Sequence, residues 1–400
     1  MSRKRMIVLA LVAAVVVVVA VVAYNRSAVG PAAGQGVTDD EILIGSHQAL
    51  SGPVAIWGVP ITNGMRMRAD EINEAGGIHG RKINLIVEDH AYLQSRAAQA
   101  GDKLLQRDKV FALVGALGTP QNMVVMPRAL KMGVPNLFPA SAAVEMYEPF
   151  HKLKFAAVVP YYYSVRAAVS YFVKQEGKTK IAVMYQDDDF GLNTLRGVQD
   201  EAKELGLELV AETSYKRGAK DFSSQIALMK SAGADLVVLG TIIAETIGAK
   251  VEARKIGWDV DMVVNVAGYA PEVAELARGA SDGLYAIGYF PIPYRDSVSP
   301  EVGEWMDAYQ SRFGDMPSIQ AVIGYVFMDL FYQGANNAGP NLTAESVAEG
   351  IEAIRDYKTI FGPGKFNFSA TDHLGASIHE DILLCQVKGT RWETLRTISY

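Results

Sequence analysis

Short apolar segments alternate with segments of helical periodicity along this 400-residue chain, and the alternation occurs twice. In the first run, strands are predicted at 42–46, 82–88, 110–114 and 135–138, and helices at 60–75, 95–107 and 120–132. In the second run, strands are predicted at 180–185, 207–213, 235–239 and 261–265, and helices at 191–205, 221–232 and 244–256. Strands that alternate with helices of this length indicate parallel sheets covered by helices. The expected fold is therefore α/β, with two doubly wound parallel-sheet lobes.

The part of the chain after about residue 300 has a different pattern. Helices are predicted at 301–313, 318–337 and 343–355, followed by strand-like segments at 365–368 and 379–387.

The two alternating runs contain a similar short sequence, since LVGALGT (113–119) and VVLGT (237–241) both end an apolar strand in Gly and Thr. Parallel sheets bind ligands beyond the carboxyl ends of their strands. We therefore expect a ligand cleft between two lobes.

Charge and cysteine content exclude several classes of protein. The net charge of −6 and the pI of about 5.6 argue against nucleic-acid binding, which needs a clustered basic face. A single cysteine, Cys385, excludes an internal disulfide and any cysteine-based zinc site. Cys385 lies in DILLCQV and is predicted to be a buried strand residue.

The sequence lacks the short motifs that carry catalysis or metal binding. It contains no GxSxG elbow, no GxxxxGK[ST] phosphate loop and no GxGxxG after the first strand. His379 and Glu380 do not begin an HExxH motif, because Leu383 occupies the position of the second histidine. The run Asp187–Asp189, followed by Phe190 and Gly191, is typical of a loop that caps a helix. We therefore expect no metal, no cofactor and no enzymatic activity.

The N-terminus predicts export. Arg3, Lys4 and Arg5 precede an uncharged run from Met6 to Tyr24, as in a secretory signal or a membrane anchor. The run is long for a cleaved signal and close to a membrane span, so both interpretations stay open. Residues 1–38 are assigned to this segment and to the flexible linker that follows, and a periplasmic location is expected.

Small, hydroxylated loops follow most of the predicted strands. They are HQALSGP, GALGTPQN (115–122), FPASAA (138–143), DDDFG and GTIIAE (240–245). Such loops offer backbone N–H groups and hydroxyls to a ligand, and apolar side chains to cover its body. This composition is typical of a binding site without a nucleophile–base pair.

The same residues resemble a known family. In order, they are the SGP loop, DEIN-x-x-GG-x-x-GR, VGALGT, VPNLFPASA, KIAVMYQDDDFG and FSSQIALMKSAGADLVVLG. From about Asp39 to the C-terminus, the chain resembles type I periplasmic solute-binding proteins of the branched-chain amino acid and amide group. The resemblance implies two lobes that close on a ligand, joined by a three-strand hinge, and an ABC permease as partner. It places lobe one at 39–160 and 288–362, and lobe two at 161–287 and 363–400.

The resemblance also implies a set of ligand-binding residues. Thr119, with Leu117 and Gly118 before it, and the loop Ala140–Ala142 would hold the polar end of the ligand. Trp57, Tyr161, Phe190, Thr241 and Ile242 would form walls of the cleft. His47 and Gln48 stand where relatives carry an apolar residue and Gly, and their side chains are expected to extend towards the cleft.

One position departs from the family pattern in charge. Ala267 stands where relatives carry the acid that binds the ammonium group, and there is no Asp or Glu between Met262 and Pro271. A buried ammonium needs a carboxylate or several carbonyls to offset its desolvation. The expected ligand is therefore a less polar or aromatic compound and not a standard amino acid. The alternatives are a conventional amino acid or amide binder, a membrane-tethered sensory domain and an enzyme on the same scaffold.

Overall fold

Two β-sheets form the framework of the computed structural model, which describes residues 34–277, 279–362 and 364–400. The strands of the first sheet are β1 (Glu41–Gln48), β2 (Lys82–Asp89), β3 (Ala112–Val114), β4 (Asn136–Leu137) and β5 (Lys154–Phe155). Their order across the sheet is β2-β1-β3-β4-β5, and every neighbouring pair is parallel. The carboxyl ends of these strands therefore share one edge of the sheet.

The second sheet is larger and is partly antiparallel. Its strands are β6 (Ile181–Gln186), β7 (Ala211–Tyr215), β8 (Leu236–Gly240), β9 (Asp261–Val264), β10 (Tyr285–Gly288), β11 (Ile382–Lys388) and β12 (Arg391–Ile398). Their order is β12-β11-β10-β9-β8-β6-β7. Strands β6 to β10 are parallel to their neighbours among themselves, whereas β11 is antiparallel to both β10 and β12.

The α-helices of the described residues alternate with these strands. They are α1 (Ala55–Glu74), α2 (Gln94–Asp102), α3 (Thr119–Lys131), α4 (Tyr161–Glu176), α5 (Asp189–Glu204), α6 (Ser223–Ser231), α7 (Ile243–Lys255), α8 (Pro271–Leu276), α9 (Pro300–Phe313), α10 (Ile319–Asn337) and α11 (Ala344–Glu352). A π-helical turn at Lys103–Arg107 extends α2. We call the first sheet with α1–α3 and α9–α11 the first lobe, and the second sheet with α4–α8 the second lobe. The chain passes between the lobes from β5 to α4, from β10 to α9 and from α11 to β11.

The burial of the central strands explains why the sequence predicted them as short apolar segments. All five residues of β8 (LVVLG) are buried, as expected for a strand covered by helices on both faces. Cys385 is fully buried in β11, which confirms its predicted position. The Asp188 side chain accepts hydrogen bonds from the backbone N–H groups of Phe190 and Gly191, at 3.1 and 3.4 Å. The predicted cap of α5 is therefore confirmed.

Helix α10 crosses α1 closely because each helix has a glycine at the crossing. A Cβ on Gly64 would lie 2.0 Å from the Ala321 carbonyl oxygen, and a Cβ on Gly324 would lie 2.0 Å from that of Ile61. Any larger residue at either site would separate the two helices. This close crossing positions the side chains of α10 behind the start of α1.

Several elements differ from the sequence-based predictions. Helix α1 begins at Ala55 and not at residue 60, so Trp57 lies in its first turn, and β7 lies at Ala211–Tyr215 and not at 207–213. The segment 365–368 makes one isolated bridge, at Phe366, and no strand. Helices α4 and α8 and strands β5, β10 and β12 were not predicted. Strand β12 (RWETLRTI) is an edge strand with mostly exposed residues, so its pattern lacks the apolar run that marks a central strand.

None of the helices in the described part of the chain is long and apolar enough to cross a membrane. The predicted signal or anchor at residues 6–24 lies outside the described residues.

Candidate functional site

A cavity of about 580 Å³, open solvent at its mouth included, lies where the carboxyl ends of the two sheets meet. The first lobe contributes the loops after β3 and β4, the start of α1 and one face of α10. The second lobe contributes the starts of α4, α5 and α7 and the loop after β9. The cavity therefore occupies the position at which parallel sheets bind ligands.

Most of the residues predicted for the site line this cavity. They are Trp57, Leu117, Gly118, Thr119, Ala140, Ser141, Ala142, Tyr161, Phe190, Ile242 and Ala267. The structure thus brings together residues from distant parts of the sequence, from Trp57 to Ala267. Their contact with a ligand stays a prediction.

Three predicted residues do not line the cavity, and the expected placement of His47 and Gln48 is corrected. All three side chains are completely buried. His47 lies against His90, with ring centroids 5.3 Å apart, and Gln48 donates hydrogen bonds to Ser46 Oγ and to the Gly115 carbonyl. Thr241 Oγ1 pairs with Thr246 Oγ1 at 2.6 Å. His47 and Gln48 are consecutive residues of β1 and point to opposite faces of the sheet, and both are hidden because both faces of a parallel sheet are covered.

Seven further residues of the wall were missed by sequence reasoning. They are Val54, Tyr92, Val158, Val266, Tyr289, Ile323 and Phe327. Val158 and Tyr289 lie on the segments that cross between lobes, and Ile323 and Phe327 lie on α10, which no local motif links to the cleft. The signal that could have found them is the unusual apolarity of α10, of which 14 residues are buried: Ile319, Gln320, Ala321, Val322, Ile323, Gly324, Val326, Phe327, Met328, Asp329, Leu330, Phe331, Gly334 and Ala335.

The polar part of the wall is a pair of buried hydroxyls. Thr119 Oγ1 and Ser141 Oγ lie 2.7 Å apart, and either hydroxyl can be the donor. Both residues are at least 97% buried. Beside them, burial raises the pKa of the Tyr161 phenol to about 12, so this side chain stays protonated at neutral pH. The Tyr161 ring meets the Phe190 ring edge-on, with centroids 5.2 Å apart.

Buried side chains hold the loop that precedes Thr119 from behind. Gln48 Nε2 donates to the Gly115 carbonyl at 2.7 Å, and Asn122 Nδ2 donates to the Ala116 and Gly118 carbonyls, each at 2.8 Å. His90 Nδ1 accepts from the Tyr92 backbone N–H, so its Nε2 carries the proton and donates to the Leu117 carbonyl at 3.2 Å. Four successive carbonyls of loop 115–118 are thereby engaged by the protein interior.

Two helices begin at the cavity without a side-chain cap. Gly118 is the N-cap residue of α3 and Ile242 that of α7, and neither makes a side-chain capping hydrogen bond. By contrast, α5, which begins at the same cavity with Phe190, is capped by Asp188. The first N–H groups of a helix have no partner within the helix and carry a partial positive charge. At α3 the second residue, Pro120, has no N–H, so this helix start has one donor fewer than that of α7.

No described residue of the wall has a charged side chain. Glu245, in the first turn of α7, does not line the cavity, and burial raises the pKa of its carboxyl. Asp188 lies behind the wall, where it accepts from Arg217 at 2.7 Å. The cavity therefore offers no carboxylate to a ligand ammonium group.

Contacts join the two lobes across the cleft at two places. Arg217, after β7, donates to the Tyr92 carbonyl at 2.6 Å, and its guanidinium lies 4.5 Å from the centroid of the Tyr92 ring. Tyr92 has a left-handed backbone conformation, with φ of 60°, which for a residue other than glycine needs support from its surroundings. At the other place, Asn193 accepts from the Val144 N–H at 3.0 Å and donates to Glu145 at 2.9 Å.

We predict that Arg217→Ala shifts the ligand-free protein towards an open form. The substitution removes a hydrogen bond from a charged group and a cation–π contact across the cleft, and such a hydrogen bond contributes about 1.5–3 kcal/mol. Small-angle X-ray scattering of the ligand-free variant should give a larger radius of gyration than the wild type. Lys216→Ala is the matched control, because the Lys216 side chain is 91% exposed and lies on the same loop. Identical scattering from Arg217→Ala and the wild type would show that the contact between Arg217 and Tyr92 does not hold the lobes together.

We also predict that His47 makes the protein sensitive to acid. Among the described residues neither ring nitrogen of His47 has a hydrogen-bond partner, and burial holds its pKa well below the usual range. Burial also lowers the pKa of His90, to about 4. Because the unfolded chain binds protons below about pH 6.5 and the folded chain does not, the free energy of unfolding is highest above that pH and falls as the pH decreases.

His47→Leu should flatten this dependence. Each such histidine contributes up to about 1.4 kcal/mol per pH unit between its unfolded and folded pKa values. We expect a shallower loss of stability between pH 6.5 and 5 in urea unfolding, and no loss at pH 7.5, since a buried unpaired ring is replaced by an apolar side chain of similar volume. A variant with the slope of the wild type would show that His47 is protonated in the folded protein.

Comparisons with known proteins agree with this architecture. Residues 41–390 match the family described as periplasmic binding protein. A Leu/Ile/Val-binding protein homolog 7 from Brucella suis is 24% identical over 348 residues, which are 83% of this chain and 86% of the relative. The family resemblance predicted from the sequence is thereby confirmed.

Solved structures show the same fold. One is a fatty acid ABC transporter substrate-binding protein from Thermomonospora curvata, with a TM-score of 0.81, 21% identity, and coverage of 92% of this chain and 94% of that chain. Another is a branched-chain amino acid ABC transporter protein from Thermus thermophilus with bound valine, with a TM-score of 0.81, 19% identity, and coverage of 90% and 97%. The match to the family over most of the chain and the cavity between two parallel-sheet lobes lead to one conclusion: this chain belongs to the periplasmic binding protein family.

Proposed function

We propose that the chain is the extracytoplasmic binding component of an ABC importer, and that its ligand is less polar than a standard amino acid. The observation that carries the second part is the wall of the cavity, on which no described residue has a charged side chain. An amino acid carries an ammonium group, and a buried ammonium without a carboxylate costs several kcal/mol. Apolar and aromatic surface matches the rest of the wall.

The printed names of similar proteins support the transport role and leave the ligand open. The Brucella relative is named for leucine, isoleucine and valine, and the Thermomonospora protein for a fatty acid. Both kinds of ligand have an apolar tail, and only the amino acids carry an ammonium group. The composition of this cavity favours the class without the ammonium.

The proposed lobe boundaries follow the crossings of the chain. Lobe one would comprise 39–160 and 288–362, and lobe two 161–287 and 363–400, so that each lobe contains one of the two sheets. The three connecting segments would act as the hinge on which the lobes open to admit the ligand. The hydrogen bond from the Tyr289 hydroxyl to the Val159 carbonyl joins two of these segments.

Export is proposed from the basic start and the apolar run of the sequence. The family supports a periplasmic location, and a permease in the inner membrane would receive the ligand. The mass of the protein isolated from its native host should correspond to a chain that begins after the run, near residues 23–28. An intact mass would instead support the alternative of a membrane-tethered sensory domain.

We predict that apolar ligands stabilise the protein and that leucine does not. A ligand that binds only the folded state stabilises it by RT ln(1 + [L]/Kd), which is about 2.7 kcal/mol at a hundredfold excess over Kd. Melting temperatures would be measured against branched-chain amino acids, aliphatic amides, aromatic acids and neutral apolar compounds. A large shift with leucine alone would contradict the proposal and favour a conventional amino acid binder.

A further inference from the structure

We propose that the ligand carries a hydroxyl group at the end of its apolar body, and that the Gln320 amide and the Trp57 indole bind this group. The inference rests on the proposed function and deepens it, because it names one polar feature of an otherwise apolar ligand. It follows from two buried polar side chains that have no partner among the described residues, and from their position beside the cavity.

Gln320 is a buried amide without a hydrogen bond. Its side chain is completely buried at the start of α10, and within the described part of the chain neither Oε1 nor Nε2 has a partner. The buried glutamines Gln48, Gln121 and Gln186 each donate from Nε2 to an oxygen of the protein. A buried amide without a partner destabilises the folded chain, so its presence at Gln320 requires a compensating role.

The periodicity of α10 directs Gln320 to the side of the cavity. Ile323 and Phe327 line the cavity, and Gln320 precedes them by three and seven residues, which places all three on one face of the helix. Gln320 is not itself exposed at the wall. A ligand group that reaches its amide would extend the occupied space by one helical turn along α10, or about 5 Å.

Trp57 brings a second unpaired polar group to the cavity. It lies in the first turn of α1, lines the cavity and is 8% exposed. Among the described residues its indole N–H has no hydrogen-bond acceptor. An acceptor supplied by the ligand would satisfy this donor.

Helices α1 and α10 run in the same direction, which places the two groups in adjacent turns. The helices cross at Ile61 and Gly324, and beyond the crossing Arg68 Nε donates to Asp329 Oδ1 at 2.8 Å. Four residues, or about one turn, before the crossing, each helix carries one of the unpaired groups, the indole on α1 and the amide on α10. Two helices of the first lobe therefore direct their unpaired groups to the same end of the cavity.

A hydroxyl group matches both side chains. The indole N–H only donates, whereas the amide offers a donor and an acceptor, so a hydroxyl oxygen can accept from Trp57 while its hydrogen is donated to Gln320 Oε1. A charged group is disfavoured, because no described residue of the wall has a charged side chain. A methyl group in the same place would leave both side chains unpaired.

The direct test compares compounds that differ only in a terminal hydroxyl group. Isothermal titration calorimetry of the full chain would use 3-(4-hydroxyphenyl)propanoate against 3-phenylpropanoate and 6-hydroxyhexanoate against hexanoate. The corresponding primary amides make the comparison independent of the charge at the other end, and leucine and phenylalanine serve as references. We expect at least one hydroxylated compound to bind at least about tenfold more tightly than its parent, since the parent leaves two buried groups unpaired.

The opposing outcomes separate this inference from the proposed function. Parent compounds that bind as tightly as their hydroxylated counterparts would overturn the inference and leave a binder of apolar ligands, in which the two side chains hold water only. Leucine or phenylalanine binding more tightly than every other compound would overturn the proposed function and the inference with it. Failure of every compound to bind at millimolar concentration would also overturn the inference.

Substitution of Gln320 tests which group recognises the hydroxyl. Gln320→Leu should abolish the preference for the hydroxylated compound and leave the affinity for the parent unchanged or higher, because it removes an unpaired amide and adds apolar surface. A merely structural role would weaken the binding of both compounds by the same factor, and that result would overturn the assignment. The comparison of compounds uses the unchanged protein and decides the inference even if the variant does not fold.

Two tryptophans provide a matched pair of variants. Trp305, on α9, is also buried with an unpaired indole N–H among the described residues, but it packs against Tyr325 and does not line the cavity. Trp57→Phe should reduce the preference for the hydroxyl by at least about threefold, because it removes one donor and keeps an aromatic ring. Trp305→Phe should leave the preference unchanged. Equal effects of the two variants would overturn the role of Trp57.

Discussion

Parallel strand pairing is the constraint on which the rest of this structure depends. When neighbouring strands run in one direction, their carboxyl ends share an edge, and each following helix begins at that edge. The two sheets bring two such edges together, so the starts of α3, α5 and α7 meet around one cavity. Two of these three helices have no side-chain cap there. The architecture therefore sets the position of the site, and the Thr119 and Ser141 hydroxyls supply the polar part of its wall.

Burial of polar groups behind the wall is the second level of this design. His90, Asn122 and Gln48 do not line the cavity, yet they hold the carbonyls of loop 115–118 away from it. Buried polar groups are costly when they lack partners, and His47, with no partner for its ring, shows that part of this cost is present here. The network keeps one loop conformation, and with it the position of the Thr119 hydroxyl.

Much of the fold could be predicted because parallel strands and their helices leave strong local signals. The apolar segments of β1, β6 and β8 and the caps of helices such as α5 are readable one element at a time. Edge strand β12 was missed because its residues are mostly exposed. The start of α1 was predicted at residue 60, whereas the helix begins at Ala55 and contains Pro60. The loops after strands identified a large part of the wall, whereas α10 and the crossing segments contributed residues that no loop motif marks.

The order of strands and helices along the chain determined that this protein has two parallel-sheet lobes, because each element is formed by residues that are adjacent in the sequence. Tertiary structure decided which side chains reach the cleft. His47 and Gln48 are the last two residues of β1, next to the site, and both side chains face the interior. Ile323 and Phe327, which lie more than 260 residues after Trp57, complete the wall. The physical reason is that the covering of both faces of the sheet and the close crossing of α1 and α10 are contacts between residues far apart in the sequence.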